Sequence, residues 1–228
     1  MAIPKPTRLF HITAIANLPA ICGVGALFAK NAIAAKGVAY SNIAYQGAQG
    51  TRAAKVVSIP PGGVVHDYVP FYFAPRSPML MAINSGRVGG CDWRQSDIVY
   101  FETTVEMALA DAAPFVFYDM NATLDFSTPY NDLAKLDAVD WDLLTEEPTM
   151  DGFCRYWMSK QDPPRYAMRM EKRQAEFLVH GSLSLGRIRR IGVIDQARQA
   201  EVSAILHNAG TALQVDIMSD WYFQEAIK

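Results

Sequence analysis

The stretch "SIPPGGVVHDYVPFYFAP", residues 58–75, sets how the rest of the chain is read. Pro60-Pro61-Gly62-Gly63 suits neither a helix interior nor a sheet ladder, so it marks a turn. The residues after it are aromatic and branched until Pro75 stops them, a composition that predicts a strand. Directly behind, "SPMLMAINSG" (77–86) predicts a short helix with Ser77 at its cap and Pro78 at its first position.

Working outward, "RLFHIT" (8–13) reads as a short strand. "AIANLPAICGVGAL" (14–27) reads as a helix begun near Ile15 and ended by glycines. Residues 29–57 are Ala-rich and weakly periodic, a helix or loop that needs a partner to be ordered. "DIVYFETTV" (97–105) is a clear strand followed by a helix over "TVEMALADA", and "PFVFYDM" (114–120) is another strand. Residues 121–151 are acidic and loop-like, with one helical turn or two in "DAVDWDLL". "PPRYAMRMEKRQ" leads into the strand "AEFLVHG" (175–181), where Phe177 and Val179 share one face and Glu176, Leu178 and His180 the other. "IRRIGVID", the amphipathic "QARQAEVSAILHNAG" ending at Gly210, and "ALQVDIM" give strand, helix and strand. The sum is an α+β fold in one domain over 1–228, with six or seven short strands. Strands and long helices do not alternate, so a doubly wound parallel sheet is disfavoured.

Composition narrows the class. Of 228 residues, half are hydrophobic and 19% charged, which is globular and not disordered. No apolar run reaches the roughly 18–20 residues that span a bilayer, so no membrane association is expected. "LPAICGVGALFA" lacks the basic start and cleavage pattern of a signal peptide. Cys22, Cys91 and Cys154 are scattered, without CxxC spacing. Neither a disulfide framework nor a metal site is expected, and the cytoplasm is the natural compartment. Charge is segregated: residues 125–151 hold eight acids and one lysine, residues 152–190 nine Lys/Arg and three acids. Two solvated faces explain this, and so does a basic groove for a polyanion.

Single residues are weaker guides. Glu176 opens a buried strand, where a carboxylate is costly unless something pairs with it or uses it. His11 and Arg52 have ordinary structural explanations. Arg76, beside a helix start, could hold an anion. There is no GxGxxG, Walker loop, HExxH or GxSxG.

The combination is more specific. "LFHITAIANLPAI", "IPPGGVVHDYVPFYFAPRSPML", "DIVYFE" and "KRQAEFLVHGSL" occur in the order seen in the DarT family of DNA ADP-ribosyltransferase toxins, and the chain resembles that family from about residue 8 to 210. The resemblance implies the split-sheet ADP-ribosyltransferase fold, with two small antiparallel sheets around an NAD-binding cleft and surrounding helices. It implies NAD+ as co-substrate with no metal, thymine in single-stranded DNA as acceptor, and a DarG-like macrodomain antitoxin as partner. It places Glu176 and Arg52 as catalytic residues. His11, Thr13, Asn17, Arg52 and Tyr72 would contact NAD. Tyr72, Arg76, Met79, Arg94, Asn121, Arg165, Arg169, Lys172 and Arg173 would contact DNA.

Chemistry supports this pattern. Breaking the nicotinamide–ribose bond develops positive charge on the sugar, which a carboxylate at a ribose hydroxyl stabilises. Nicotinamide is a cationic leaving group, so no second carboxylate is needed. Single strands suit the acceptor because the reacting ring nitrogen of thymine is hidden in a duplex. A guanidinium rarely gives up its proton, so Arg52 suits an anion-stabilising or phosphate-clamping role better than that of a base. Tyr72 and Met79 have core packing as their plain alternative. Asn121 departs from a histidine common in relatives, which bears on sequence preference more than on the class of activity. Competing expectations are the same fold acting on guanine, RNA or protein, and a non-catalytic NAD- or nucleic-acid-binding module.

Overall fold

A computed structural model of the chain describes residues 3–38, 40–43, 46–86, 88 and 92–224. Its strands in chain order are β1 (Arg8–Ala14), β2 (Ala26–Phe28), β3 (Tyr68–Tyr72), β4 (Ile98–Thr104), β5 (Phe115–Tyr118) and β6 (Pro129–Tyr130). They continue with β7 (Thr149–Met150), β8 (Phe153–Cys154), β9 (Glu176–His180), β10 (Ser182–Ser184), β11 (Arg190–Val193) and β12 (Val215–Ile217). This exceeds the six or seven expected, because strands of two or three residues are too short to show a period. Eight strands form one sheet in the order β12-β11-β4-β1-β3-β9-β5-β6, and β2–β10 and β7–β8 form two small ribbons.

The large sheet is nearly divided in two. β1 pairs with β4 at seven positions but with β3 only at Phe10↔Tyr72, whereas β3 pairs with β9 over five. Pro70, in the middle of β3, has no N–H to offer, and its carbonyl accepts from the His11 ring (Nδ1–O 2.8 Å). A proline and an intervening side chain thus stop the ladder from closing. The expected pair of small sheets is present as two halves joined at one residue pair, and the β11–β12 edge is parallel, not antiparallel.

Strand β9 is buried on both faces, as its alternation requires. Phe177 and Val179 join the main core with Phe10, Phe71, Phe73 and Phe117. Leu178 joins a smaller cluster with Tyr68, Val116 and Tyr118. His180 is exposed and meets the Tyr68 ring edge-on at 5.0 Å.

The helices are α1 (Leu18–Val24), α2 (Lys30–Lys36), α3 (Gln46–Ala54), α4 (Pro78–Asn84), α5 (Val105–Ala108), α6 (Trp141–Leu144), α7 (Arg169–Lys172) and α8 (Gln196–Asn208). The Ser77 side chain accepts from Leu80 N–H (3.2 Å) and starts α4 as the sequence requires. The Ala-rich stretch forms α2 and α3, and α2 buries none of its residues. Polar ties add to the few residues this segment buries, Ala29, Ile43 and Val57. Asn17 grips Ser41, Asn31 donates to Asp67 (2.7 Å), and Lys30 donates to Gln49. Cys22 and Cys154 are free thiols, and Cys91 lies outside the described residues.

Candidate active site

A cavity of about 350 Å³ opens where β1 and β3 part, closed on its outer side by α2 and α3. His11, Thr13, Asn17, Arg52, Tyr72, Met79 and Asn121 all line it. The split sheet explains this convergence. β1 and β3 each present side chains into the gap their missing ladder leaves, and α3 lays Arg52 across it.

Glu176 lies behind the wall that Arg52 and Tyr72 give the cavity, fully buried, at the head of β9 between Tyr72 and Tyr118. Both carboxylate oxygens are engaged. Arg52 donates from Nη1 to Oε1 (3.0 Å) and from Nη2 to Oε2 (2.7 Å), and the Ala122 backbone N–H donates to Oε1 (3.2 Å). This is the fork geometry that only arginine offers. Burial by itself would lower the pKa of Arg52, yet Glu176 lifts it above the usual arginine value, so the guanidinium stays charged. Burial, aided by Glu176, pushes Tyr72 well above the ordinary phenol range, and Tyr118 is raised for the same reasons. Both phenols are therefore neutral beside the carboxylate.

His11 donates its Nδ1 proton to the Pro70 carbonyl, which leaves Nε2 as the acceptor, and burial lowers its pKa although that bond acts to raise it. Asn17 spends its amide on Thr13 Oγ1 (2.9 Å), the Ser41 carbonyl (2.9 Å) and the Ser41 N–H (2.7 Å). It lines the cavity and anchors the segment over it. Asn121 donates to Gln174 Oε1 (3.1 Å) and accepts from Thr123 through both its N–H and its hydroxyl.

Three groups at this site escaped the sequence reading. Gln174 lines the cavity two residues before Glu176, a spacing that was the available signal. Lys30 and His66 form a second wall. The His66 ring is 8% exposed, its Nε2 is buried without a partner, and its pKa falls to about 4 through burial and the nearby Lys30 and Arg52 charges.

The expected basic groove takes a different form. Arg76, Arg169 and Arg173 are all under 4% exposed. Arg76 donates to the Cys154 (2.9 Å) and Asp220 (2.5 Å) carbonyls, and Arg173 donates to the carbonyls of Cys154 (3.1 Å) and Pro75 (3.4 Å). These two guanidiniums clamp the β7–β8 ribbon to the turn after β3, so they do not offer a surface for phosphates. Arg169 lies over the Tyr166 ring at 3.9 Å and pairs with Glu146. Lys172 pairs with Asp140 (2.7 Å) and exposed Arg165 with Glu146. The acidic stretch before residue 151 and the basic stretch after it are therefore joined to each other, which accounts for the segregation better than two separate faces. Arg94 is exposed and outside the cavity lining, with Nη1 at the Asp92 and Trp93 carbonyls.

Comparison with known proteins agrees with this geometry. Residues 10–223 match the family model described as "ssDNA thymidine ADP-ribosyltransferase, DarT". A DNA ADP-ribosyl transferase of Thermus sp. (strain 2.9) is 38% identical over 225 residues, covering 96% of this chain and 98% of that protein. The solved structure of Thermus sp. 2.9 DarT in complex with ADP-ribosylated ssDNA superposes with a TM-score of 0.85 at 35% identity, covering 98% of this chain and 99% of that one. The same protein in complex with NAD+ gives 0.80 at 34% identity, covering 97% and 100%. The chain belongs to the DarT family of single-stranded-DNA thymidine ADP-ribosyltransferases.

Proposed function

We propose that the chain transfers ADP-ribose from NAD+ to thymine in single-stranded DNA, with Glu176 and Arg52 as its catalytic residues. The carrying observation is the fully buried Glu176 held by Arg52, which lines a cavity set in the split of the sheet. Residues 1–228 act as one transferase unit. The cavity suits NAD: apolar walls from Ile12, Ile21 and Phe28 flank its rings, and Lys30, Arg52 and the unpartnered His66 Nε2 offer polar partners. NAD, when bound, supplies the ADP-ribosyl group and carries nicotinamide as a leaving group that needs no protonation.

The protein does the rest by placement and charge. Glu176 stabilises the positive charge that develops on the ribose, and does so in a site where burial strengthens the interaction. Arg52, held by that carboxylate, stabilises the negative charge left on the thymine ring once its N–H proton goes to solvent. His11 and Thr13 line the nicotinamide end, and Tyr72, Met79 and Asn121 stand at the side where the acceptor base enters. Such an enzyme works in the cytoplasm, where NAD and DNA coexist, as the toxin of a pair restrained by a DarG-like macrodomain antitoxin. Among the described residues no helix is long and apolar enough to cross a membrane.

The test is the mass of defined oligonucleotides after incubation with NAD. Strands containing thymine should gain one ADP-ribose, and strands lacking it none. Equal labelling of thymine-free strands would refute the thymine assignment, and an unmodified set would refute transfer to DNA.

A further inference from the structure

Glu176 has to meet the ribose of NAD, yet it does not face the cavity. It is fully buried and stands outside the lining, whereas Arg52, Tyr72 and Asn121 belong to it. Its oxygens are taken by both Nη atoms of Arg52 and by the Ala122 N–H. A ribose hydroxyl reaches that carboxylate only where a covering group gives way. Ala122 is fully buried, and Tyr72 and Tyr118 belong to the strands paired with Glu176 on either side. Arg52 is held differently.

Its helix α3, "QGAQGTRAA", contains two glycines and no large apolar side chain. None of residues 47–54 is buried. The helix is tied by Arg52 to Glu176, by Gln49 to Lys30 and, just past its end, by Lys55 to the Leu124 carbonyl (3.4 Å) and Asp125 (3.0 Å). The Asp125 side chain is fully exposed, so this last pair is a weak surface tie. A helix without a core face, weakened by glycines, is displaced at small cost.

We infer that α3 is a gate: Arg52 keeps Glu176 covered until an acceptor base enters, and the chain carries a latent NAD-hydrolysing activity that this pair suppresses. The inference rests on the proposed transfer to thymine. A guanidinium has several N–H donors, and thymine presents a carbonyl oxygen on each side of its reacting nitrogen, so the base draws one arm of Arg52 from the carboxylate. The freed oxygen accepts from a ribose hydroxyl instead. Each buried charge stays partnered through the exchange, as it must. Where the gate is held open without an acceptor, water takes the place of thymine. The bond from ribose C1′ to the nicotinamide nitrogen then breaks, and its electron pair leaves with nicotinamide. The water oxygen bonds to C1′ and loses a proton to solvent, which gives ADP-ribose.

The experiment follows nicotinamide release by the whole chain, without DNA and with single strands that contain or lack thymine. The parent should release nicotinamide slowly unless thymine is present. Arg52→Ala should release it about ten- to a hundredfold faster than the parent without DNA, the strength of one or two charged hydrogen bonds, while transfer to thymine falls. A purely catalytic Arg52 would give no such gain. Adding Glu176→Gln to that variant should return release to the parent's level. Lys55→Ala leaves both members of the pair in place and lies outside the cavity lining. It should raise DNA-independent release about two- to threefold and keep transfer to thymine. If neither Arg52→Ala nor Lys55→Ala exceeds the parent without DNA, the gate is overturned and the transferase reading stands. A parent that releases nicotinamide equally with and without thymine overturns the gate as well. A parent that cleaves NAD under none of these conditions overturns the transferase reading and the gate with it.

Discussion

Two glutamates in the large sheet are fully buried, and they do different work. Glu102 lies in β4 between Arg8 of β1, whose Nε is 2.5 Å from Oε1, and Arg190 of β11, which donates to Oε2. Arg8 and Arg190 in turn reach Asp151 and Asp216, and both stand over the Trp221 ring. Glu102 is held by the strands on either side of its own, and neither of its arginine partners lines the cavity. Glu176 is held by one arginine, delivered from the nine-residue helix α3 that lies off the sheet. A carboxylate enclosed by its own sheet is a fastener. One covered by a single arginine that itself lines a cavity can share that partner with a substrate. Burial of a charge therefore does not identify a catalytic residue, and the origin of its partner does.

That contrast can be broken in order of effect. Glu176→Gln should lose about a thousandfold or more in transfer rate yet unfold in urea within about 1 kcal/mol of the parent, because the amide keeps one bond to Arg52. A Glu176→Gln enzyme of normal rate would remove the carboxylate from the mechanism. Glu102→Ala should behave oppositely. It takes one counter-ion from two arginines that keep Asp151 and Asp216, and should cost about 1–3 kcal/mol in denaturation, with the transfer rate per folded molecule unchanged. Gly192→Ala sharpens the same region, since a Cβ there would meet Trp221 Cζ3 at 2.2 Å. Overpacking should cost about 1–3 kcal/mol, again without a change in rate.

The smallest effect lies on the cavity side. His66 is depressed to about 4 when folded, against 6.5 for the free side chain. The unfolded chain binds its proton first, so the contribution to stability is full above about pH 6.5. It is lost as pH falls from there towards about 4. His66→Gln should therefore flatten the fall in melting temperature between pH 7 and pH 4.5, by roughly 1–2 kcal/mol of stability. Parallel curves for the two proteins would show that the ring is not held neutral.

Much of this site was legible in the chain. "VPFYFAPRSP" showed a strand, a stop and a capped helix, and "AEFLVHG" showed a strand with a carboxylate at its head. Order and motif spacing gave the resemblance that joined His11, Arg52 and Glu176 before any geometry. The arginines were not legible. Arg76, Arg169 and Arg173 looked like a phosphate-binding set because sequence shows charge and not direction. The carbonyls of Cys154, Pro75 and Asp220 that hold two of them are far along the chain. Glu102 passed unnoticed in "DIVYFETT" because its partners come from residues 8 and 190.

The sequence by itself determined the local elements, through turn chemistry, capping and alternation, and it determined the family, through side chains that recur in a set order. Only the tertiary structure decided which charges are fasteners and which are free for chemistry. A charge acquires its role from the groups within a few ångströms of it, and in a sheet of non-consecutive strands those groups are distant in sequence.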